Sequence, residues 1–216
     1  MRTLIIGDVH GCREELQTLL MRFGYIPGRD RLFQTGDMIS RGPDSLGVLY
    51  LARDLGIQSV LGNQEARLLR VLSQNPLERT ARDQAFLERL GKEAESIAEM
   101  VSGWPVWIEE QNFFLVHAGF QPGVPHPVGM KSQVLLHVRT WDGSGADMEN
   151  LKNPPWFECD AWKKTVVFGH WADRGLIFRP GLRGLDTGCA AGGALTGWHV
   201  EDDRILQVPA LCRYAS

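Results

Sequence analysis

Six residues with metal-binding side chains follow short apolar runs in this chain of 216 residues. Asp8 and His10 lie in G-D-V-H-G after Leu4-Ile5-Ile6, and Asp37 lies in G-D-M-I-S-R-G after residues 32–35. Asn63 opens N-Q-E after residues 57–61, His117 ends F-F-L-V-H-A-G, and His170 follows the apolar run 165–168 and Gly169. Mixed carboxylate, carboxamide and imidazole donors suit two divalent ions of the manganese, iron, zinc or cobalt kind, whereas a thiolate site would need clustered cysteines. Two such ions ~3.5–4 Å apart acidify a shared water and clamp both oxygens of an in-line phosphoryl displacement. Taken singly, Asp8, Asp37 and Asn63 are more often turn or cap residues. Their recurrence after apolar runs is what points to a site.

Those runs must be the strands that carry the site. Leu4 to Ile6, stopped by Gly7, reads as a buried strand, and Leu16, Leu19, Leu20 and Phe23 then repeat at helical spacing up to Gly24. A second strand is expected at 32–35, a helix after Pro43 with Leu46, Leu49, Tyr50 and Leu55 on its apolar side, and a third strand at 57–61. Three strand–turn–helix units within 65 residues predict βαβ units and a parallel sheet, with ligands beyond the carboxyl ends of the strands. Residues 65–101 read as two or more helices, 104–109 and 112–117 as paired strands, and 132–138 as a short helix followed by Arg139. The polar stretch 142–155 reads as an exposed excursion. From residue 177 onward, glycine-punctuated segments at 184–187, 194–200 and 205–209 read as antiparallel strands. Two packed sheets flanked by helices would bury all of these elements.

Composition narrows the function classes. Lys plus Arg is 23 against 26 Asp plus Glu, a net charge of −3, with no basic block that would mark a nucleic-acid groove. No apolar run approaches 18 residues and no leader pattern opens the chain, so a soluble cytoplasmic protein away from membranes is expected. The scattered cysteines Cys12, Cys159, Cys189 and Cys212 form no C-x-x-C pair and read as free thiols. Thr18 stands six residues after Cys12, where a cysteine-phosphatase loop would need arginine.

Taken in order, G-D-V-H-G, G-D-M-I-S-R-G, G-N-Q-E, H-A-G and G-H resemble the phosphoprotein phosphatase branch of the calcineurin-like metallophosphoesterases, over residues 3–209. Within that branch, G-H-W-A at 169–172 and L-D-T-G-C-A-A-G-G-A-L-T at 185–196 are most similar to bacterial symmetrical diadenosine tetraphosphatases. The resemblance implies an α/β fold, a four-layer α/β/β/α sandwich with two mixed sheets flanked by helices, in one domain spanning 1–216. It implies that Asp8 and His10 bind a first metal, that Asp37 bridges, and that Asn63, His117 and His170 bind a second. Manganese is the expected metal. Arg41, Asn63 and Arg139 would hold the substrate phosphate, a task suited to arginine's planar fork. The implied reaction is direct attack of a metal-bridging hydroxide on phosphorus with no covalent enzyme intermediate. The expected substrate is a dinucleoside polyphosphate cut symmetrically to nucleoside diphosphates, with a Ser/Thr phosphoprotein as the alternative. His126, His137 and His199 belong to no motif and read as structural or surface residues.

The sequence departs from that family at Gln64, where the presumed general-acid histidine would stand, and at Ser40, which replaces the aspartate that orients it. Glutamine donates a hydrogen bond but releases no proton near neutral pH. A proton transfer of this kind is worth ~10²–10⁴ in rate. Three readings stand: an engineered low-activity form, a natural enzyme whose substrates need no acid, and a metal- or nucleotide-binding module that no longer catalyses. Complete metal ligands favour an enzyme. The sequence does not specify an oligomeric state.

Overall fold

The computed structural model describes residues 1–215. Strand β1 (Thr3–Ile6) is buried along its whole length and pairs in parallel with β2 (Arg31–Gln34). Between them, helix α1 (Arg13–Phe23) buries Leu16, Leu19, Leu20 and Phe23 and stops at Gly24 in the left-handed region. Helix α2 (Ser45–Leu55), capped by the Asp44 carboxylate accepting from the Gly47 N–H, leads to β3 (Gln58–Ser59), parallel to β2. Helices α3 (Asn63–Ser73), α4 (Ala81–Leu90) and α5 (Ala94–Val101) then fill the segment expected to be helical.

A second sheet starts with the antiparallel pair β4 (Trp107–Glu109) and β5 (Phe113–Val116). Helix α6 (Ser132–His137) precedes β6 (Thr165–Phe168), which runs parallel to β5. The hairpin of β7 (Ile177–Arg179) and β8 (Leu182–Gly184) completes this sheet, in the order β4-β5-β6-β8-β7. Strands β9 (Asp186–Thr187), β10 (Ala194–His199) and β11 (Arg204–Pro209) return to the first sheet, ordered β11-β10-β1-β2-β3 with β9 on β10.

Three apolar interfaces hold the layers together. Alternation along β1 sends Leu4 and Ile6 toward α1 and α2, and sends Ile5 to the other side. There Ile5, Phe33, Leu115, Val167 and Trp198 form the layer between the sheets. Beyond the second sheet, Phe114, Val116, Val166 and Phe168 pack on Val134, Leu135 and the fully buried Trp156. Each fully buried side chain of this size contributes ~1.5–3 kcal/mol. The result is the expected α/β/β/α sandwich with two mixed sheets.

Two sequence readings need correction. Residues 184–187 are not one strand, because the chain changes sheets there: β8 ends at Gly184 and β9 begins at Asp186. Leu185 makes the crossing, buried between the sheets and tied by its N–H to the Phe168 carbonyl. One short run thus serves two sheets, and β8 pairs in parallel with β6 rather than forming part of a purely antiparallel set. The third strand is also shorter than 57–61. After Ser59 the chain veers away, and the Leu61 N–H donates to the Pro105 carbonyl.

Candidate metal centre

The carboxyl ends of β1, β2, β5 and β6, the start of α3 and the crossing before β9 converge on one cavity of about 190 Å³. Asp8, His10, Asp37, Asn63 and His170 line it, joined by Arg41, Arg139 and Asp186. His117, wholly buried, lies behind this lining: its Nε2 lies 2.9 Å from the Asn63 amide and 3.6 Å from Asp37 Oδ1. All six residues expected to bind metal are therefore brought together.

Backbone geometry marks the same place. Among the described residues, six non-glycine residues have positive φ, and five of them (His10, Asp37, Ser40, Arg41 and His170) belong to this site or its rim. Such conformations cost about 1–3 kcal/mol each and persist only where surrounding contacts enforce them. Those contacts are visible. The Glu65 carboxylate, in the first turn of α3, accepts from the N–H groups of Asp37, Ile39 and Gly62 at 2.9, 3.1 and 3.0 Å. The Gln64 N–H donates to Asp37 Oδ1 at 2.8 Å, which sets the carboxylate at the positive end of that helix. Asp8 accepts from the Thr35 hydroxyl at 2.8 Å and from the His170 N–H at 3.0 Å. Gly169 is required beside it, since any Cβ there would overlap Asp8 Oδ1.

The donors suit divalent cations, and the structure tests this directly. His10 and His117 donate their Nδ1 hydrogens to the carbonyls of Ile39 and Thr35 at 3.0 and 2.9 Å, so each turns a bare Nε2 inward. His170 Nε2 is buried with no hydrogen-bond partner. Ligand atoms of Asp8, His10 and Asp37 lie within 4.8 Å of one another. The hydrogen bonds favour Asn63 with its nitrogen toward His117 and Asp37 and its oxygen accepting from Gln64 Nε2. An ion facing those lone pairs calls for the opposite orientation, oxygen inward.

Burial dominates the electrostatics of the site. It raises the Asp8 carboxyl well above its usual range, helped by Asp186 and Asp37 nearby, and raises Asp37 to about 7. It also lowers His10 to about 3, aided by the Arg41 charge, and lowers His117 and His170. A divalent ion bound here would stabilise the carboxylates and bring their values down, and it would find the imidazoles already in the neutral form that ligation needs.

Arg41 is exposed at the rim and forms no ion pair among the described residues. Arg139 reaches the cavity with its Nε buried and unpartnered. Arg41 also lines a second cavity beyond, and Gln64, next to Asn63, stands on the wall of that one. Sequence reasoning assigned no part to Asp186 or Glu65. Asp186 is buried against Asp8, but it lacks the Gly-Asp signature of Asp8 and Asp37, and only the single Leu185 precedes it in place of an apolar run. Glu65 was hidden among the charges of an amphipathic helix. His137, placed in no motif, lies with its ring 6.2 Å from that of His170. His199 is buried edge-on against Phe23, and His126 faces Glu109.

The family model described as calcineurin-like phosphoesterase matches residues 1–194. A Vibrio parahaemolyticus protein named bis(5'-nucleosyl)-tetraphosphatase, symmetrical, is 30% identical, with 98% of this chain and all of that protein covered. A Serratia proteamaculans protein of the same name is 31% identical over 97% of this chain and 95% of its own length. A crystal structure of a protein provisionally named a diadenosine tetraphosphatase superposes with a TM-score of 0.83 at 31% identity, covering 97% of this chain and 93% of that one. A Saccharomyces cerevisiae serine/threonine phosphatase shares the fold alone, at 14% identity and a TM-score of 0.65, with 97% and 79% covered. The chain belongs to the calcineurin-like phosphoesterases and is a hydrolase of the metal-dependent kind.

Proposed function

We propose that this hydrolase cuts dinucleoside polyphosphates symmetrically, giving two ADP from diadenosine tetraphosphate, with the whole of 1–216 acting as one catalytic domain. The observation that carries this reading lies at the side where Gln64 stands. Gln64 borders two cavities: the one it shares with Arg41 is lined by Ser40, Ala85, Phe86 and arginines with no carboxyl or imidazole to protonate a departing oxygen, whereas His137, Asp83 and Glu149 lie in the other, which Arg41 does not line. A serine alkoxide needs that proton, whereas a nucleoside diphosphate leaves as a stable anion. The full-length similarity to symmetrical tetraphosphatases supports the same substrate.

Asp8, His10 and Asp37 would hold one divalent ion, and Asn63, His117 and His170 would join Asp37 on a second. Manganese accepts this mixed set of carboxylate, carboxamide and imidazole donors. When bound, the ions acidify water and neutralise phosphoryl oxygens. The remaining work falls to side chains of the chain. Glu65 and the Gln64 N–H fix the Asp37 carboxylate, and Thr35 and the His170 N–H fix Asp8. Arg41 and Arg139, both lining the cavity, would offer guanidinium forks to the scissile phosphate. Gln64 orients the leaving oxygen by donating a hydrogen bond.

No helix is long and apolar enough to cross a membrane, and the four cysteines are free. Both features are compatible with the cytoplasmic location we infer. The test is a paired assay with manganese on diadenosine tetraphosphate and a phosphoserine peptide, with products separated. ADP as the sole nucleotide product and little phosphate from the peptide is the expected result. Phosphate from the peptide with the dinucleotide intact would overturn the substrate assignment, and silence on both, even after Gln64→His, would make the chain a binding module.

A further inference from the structure

Helix α4 carries no residue of the metal centre, yet it presents two arginines to the cavity beside it. Arg82 and Arg89 are seven residues apart, about two helical turns and ~10 Å along one face. With Arg41 and Arg67 they surround the cavity of about 250 Å³ that opens past Gln64. Ala85 and Phe86 form its apolar floor. Phe86 is 5% exposed, and the Arg67 guanidinium stacks 4.4 Å above its ring.

The charge here is not balanced from within. Asp83 is the neighbouring carboxylate, and it is occupied by Arg67 and Arg70, each at 3.1 Å, and by the Thr80 hydroxyl at 2.9 Å. Arg41, Arg82 and Arg89 form no ion pair among the described residues. Three free guanidiniums around one small cavity favour an anion with several phosphoryl oxygens over a peptide backbone. Arg41 and Gln64 stand between this cavity and the metal centre, Arg41 lining both.

From this juxtaposition we infer that the arginine cavity is the subsite for the leaving nucleoside diphosphate, with Arg82 and Arg89 as its specificity-determining residues. This rests on the substrate reading above. Water adds to the attacked phosphorus, the bond to the central bridging oxygen breaks, and that oxygen departs with the electron pair as the terminal oxygen of one ADP. The proton lost by the water passes to solvent, and the attacked half becomes the second ADP. Negative charge building on the departing diphosphate is met by guanidiniums, which takes the place of proton donation by an acid at position 64. Such a site prefers substrates whose phosphate chain extends past the scissile bond.

The test compares wild type with Arg82→Ala, Arg89→Ala and the double variant, on diadenosine tetraphosphate and on p-nitrophenyl phosphate, whose leaving group carries no phosphate. Charge-assisted contacts of this kind predict a loss in kcat/KM on the dinucleotide of roughly tenfold per arginine, in KM from the contact to the bound diphosphate and in kcat from the charge that builds on it as it departs. The loss on the dinucleotide should exceed that on p-nitrophenyl phosphate at least tenfold in the double variant. Equal losses on both substrates, or an unchanged dinucleotide KM, would overturn the subsite. Calorimetric binding of ADP to the chelator-treated proteins separates this from the substrate reading. If wild type makes no ADP from the dinucleotide, the substrate reading fails on its own. Weaker ADP binding by the double variant would still uphold the anion subsite, and unchanged ADP binding would reject it.

Discussion

Glu65→Gln isolates what holds the Asp37 turn in its strained conformation. Glu65 Oε2 accepts from Asp37 and Gly62, and Oε1 accepts from Ile39. A glutamine that keeps its oxygen on the first pair turns an NH₂ group toward the Ile39 N–H. One buried donor then loses its acceptor, a cost of about 1–3 kcal/mol. The pH dependence has a definite sign. In the metal-free protein, burial and the neighbouring Asp37 charge raise Glu65 from 4.5 to about 7. A carboxyl raised on folding adds stability below its unfolded value, and that contribution is lost as pH rises through the folded value. The rise amounts to about 3 kcal/mol that wild type loses between pH 4.5 and 7 and that glutamine, which does not titrate, does not lose. Urea unfolding in chelator should therefore show the variant less stable by about 1–3 kcal/mol at pH 5. The gap should shrink or reverse by pH 8. A gap under about 0.5 kcal/mol at pH 5, or one that widens with pH, would refute the bracing role assigned to Glu65.

Gln64→His should raise turnover of a phosphoserine peptide toward the lower end of the ~10²–10⁴ range for acid catalysis, because Ser40 provides no orienting carboxylate. Adding Ser40→Asp should raise it further, while hydrolysis of the dinucleotide changes far less. Equal gains on both substrates would contradict the link between Gln64 and leaving-group choice. Because Asp37 holds its proton up to about pH 7 in the metal-free site, manganese must displace that proton, and its affinity should fall as pH drops from 8 to 6. Calorimetry at the two pH values checks this, and equal affinity would contradict the buried-carboxyl picture.

What was legible in the sequence was whatever local spacing encodes. Leu4 to Ile6, and then Gly7, Asp8 and His10, announce a buried strand and a loaded turn because strand and turn are continuous in sequence. His117 and His170 could be read the same way. Asp186 could not, because β9 has only two residues and the chain crosses sheets just before it. Glu65 and the arginines of α4 were hidden for another reason. In sequence, a glutamate or arginine on an amphipathic helix looks solvated, and only tertiary packing turns Glu65 onto three backbone N–H groups and Arg82 and Arg89 toward Gln64. The short β3 likewise reflects a long-range competition for Leu61 by Pro105, which no local pattern records.

The central claim, that the six strand-end residues form a two-ion centre, is tested most directly by anomalous scattering from crystals soaked in manganese. Two peaks ~3.5–4 Å apart are expected, with the Asp37 carboxylate between them, Asp8 and His10 on one ion, and Asn63, His117 and His170 on the other. A single peak, or two peaks without Asp37 between them, would contradict it.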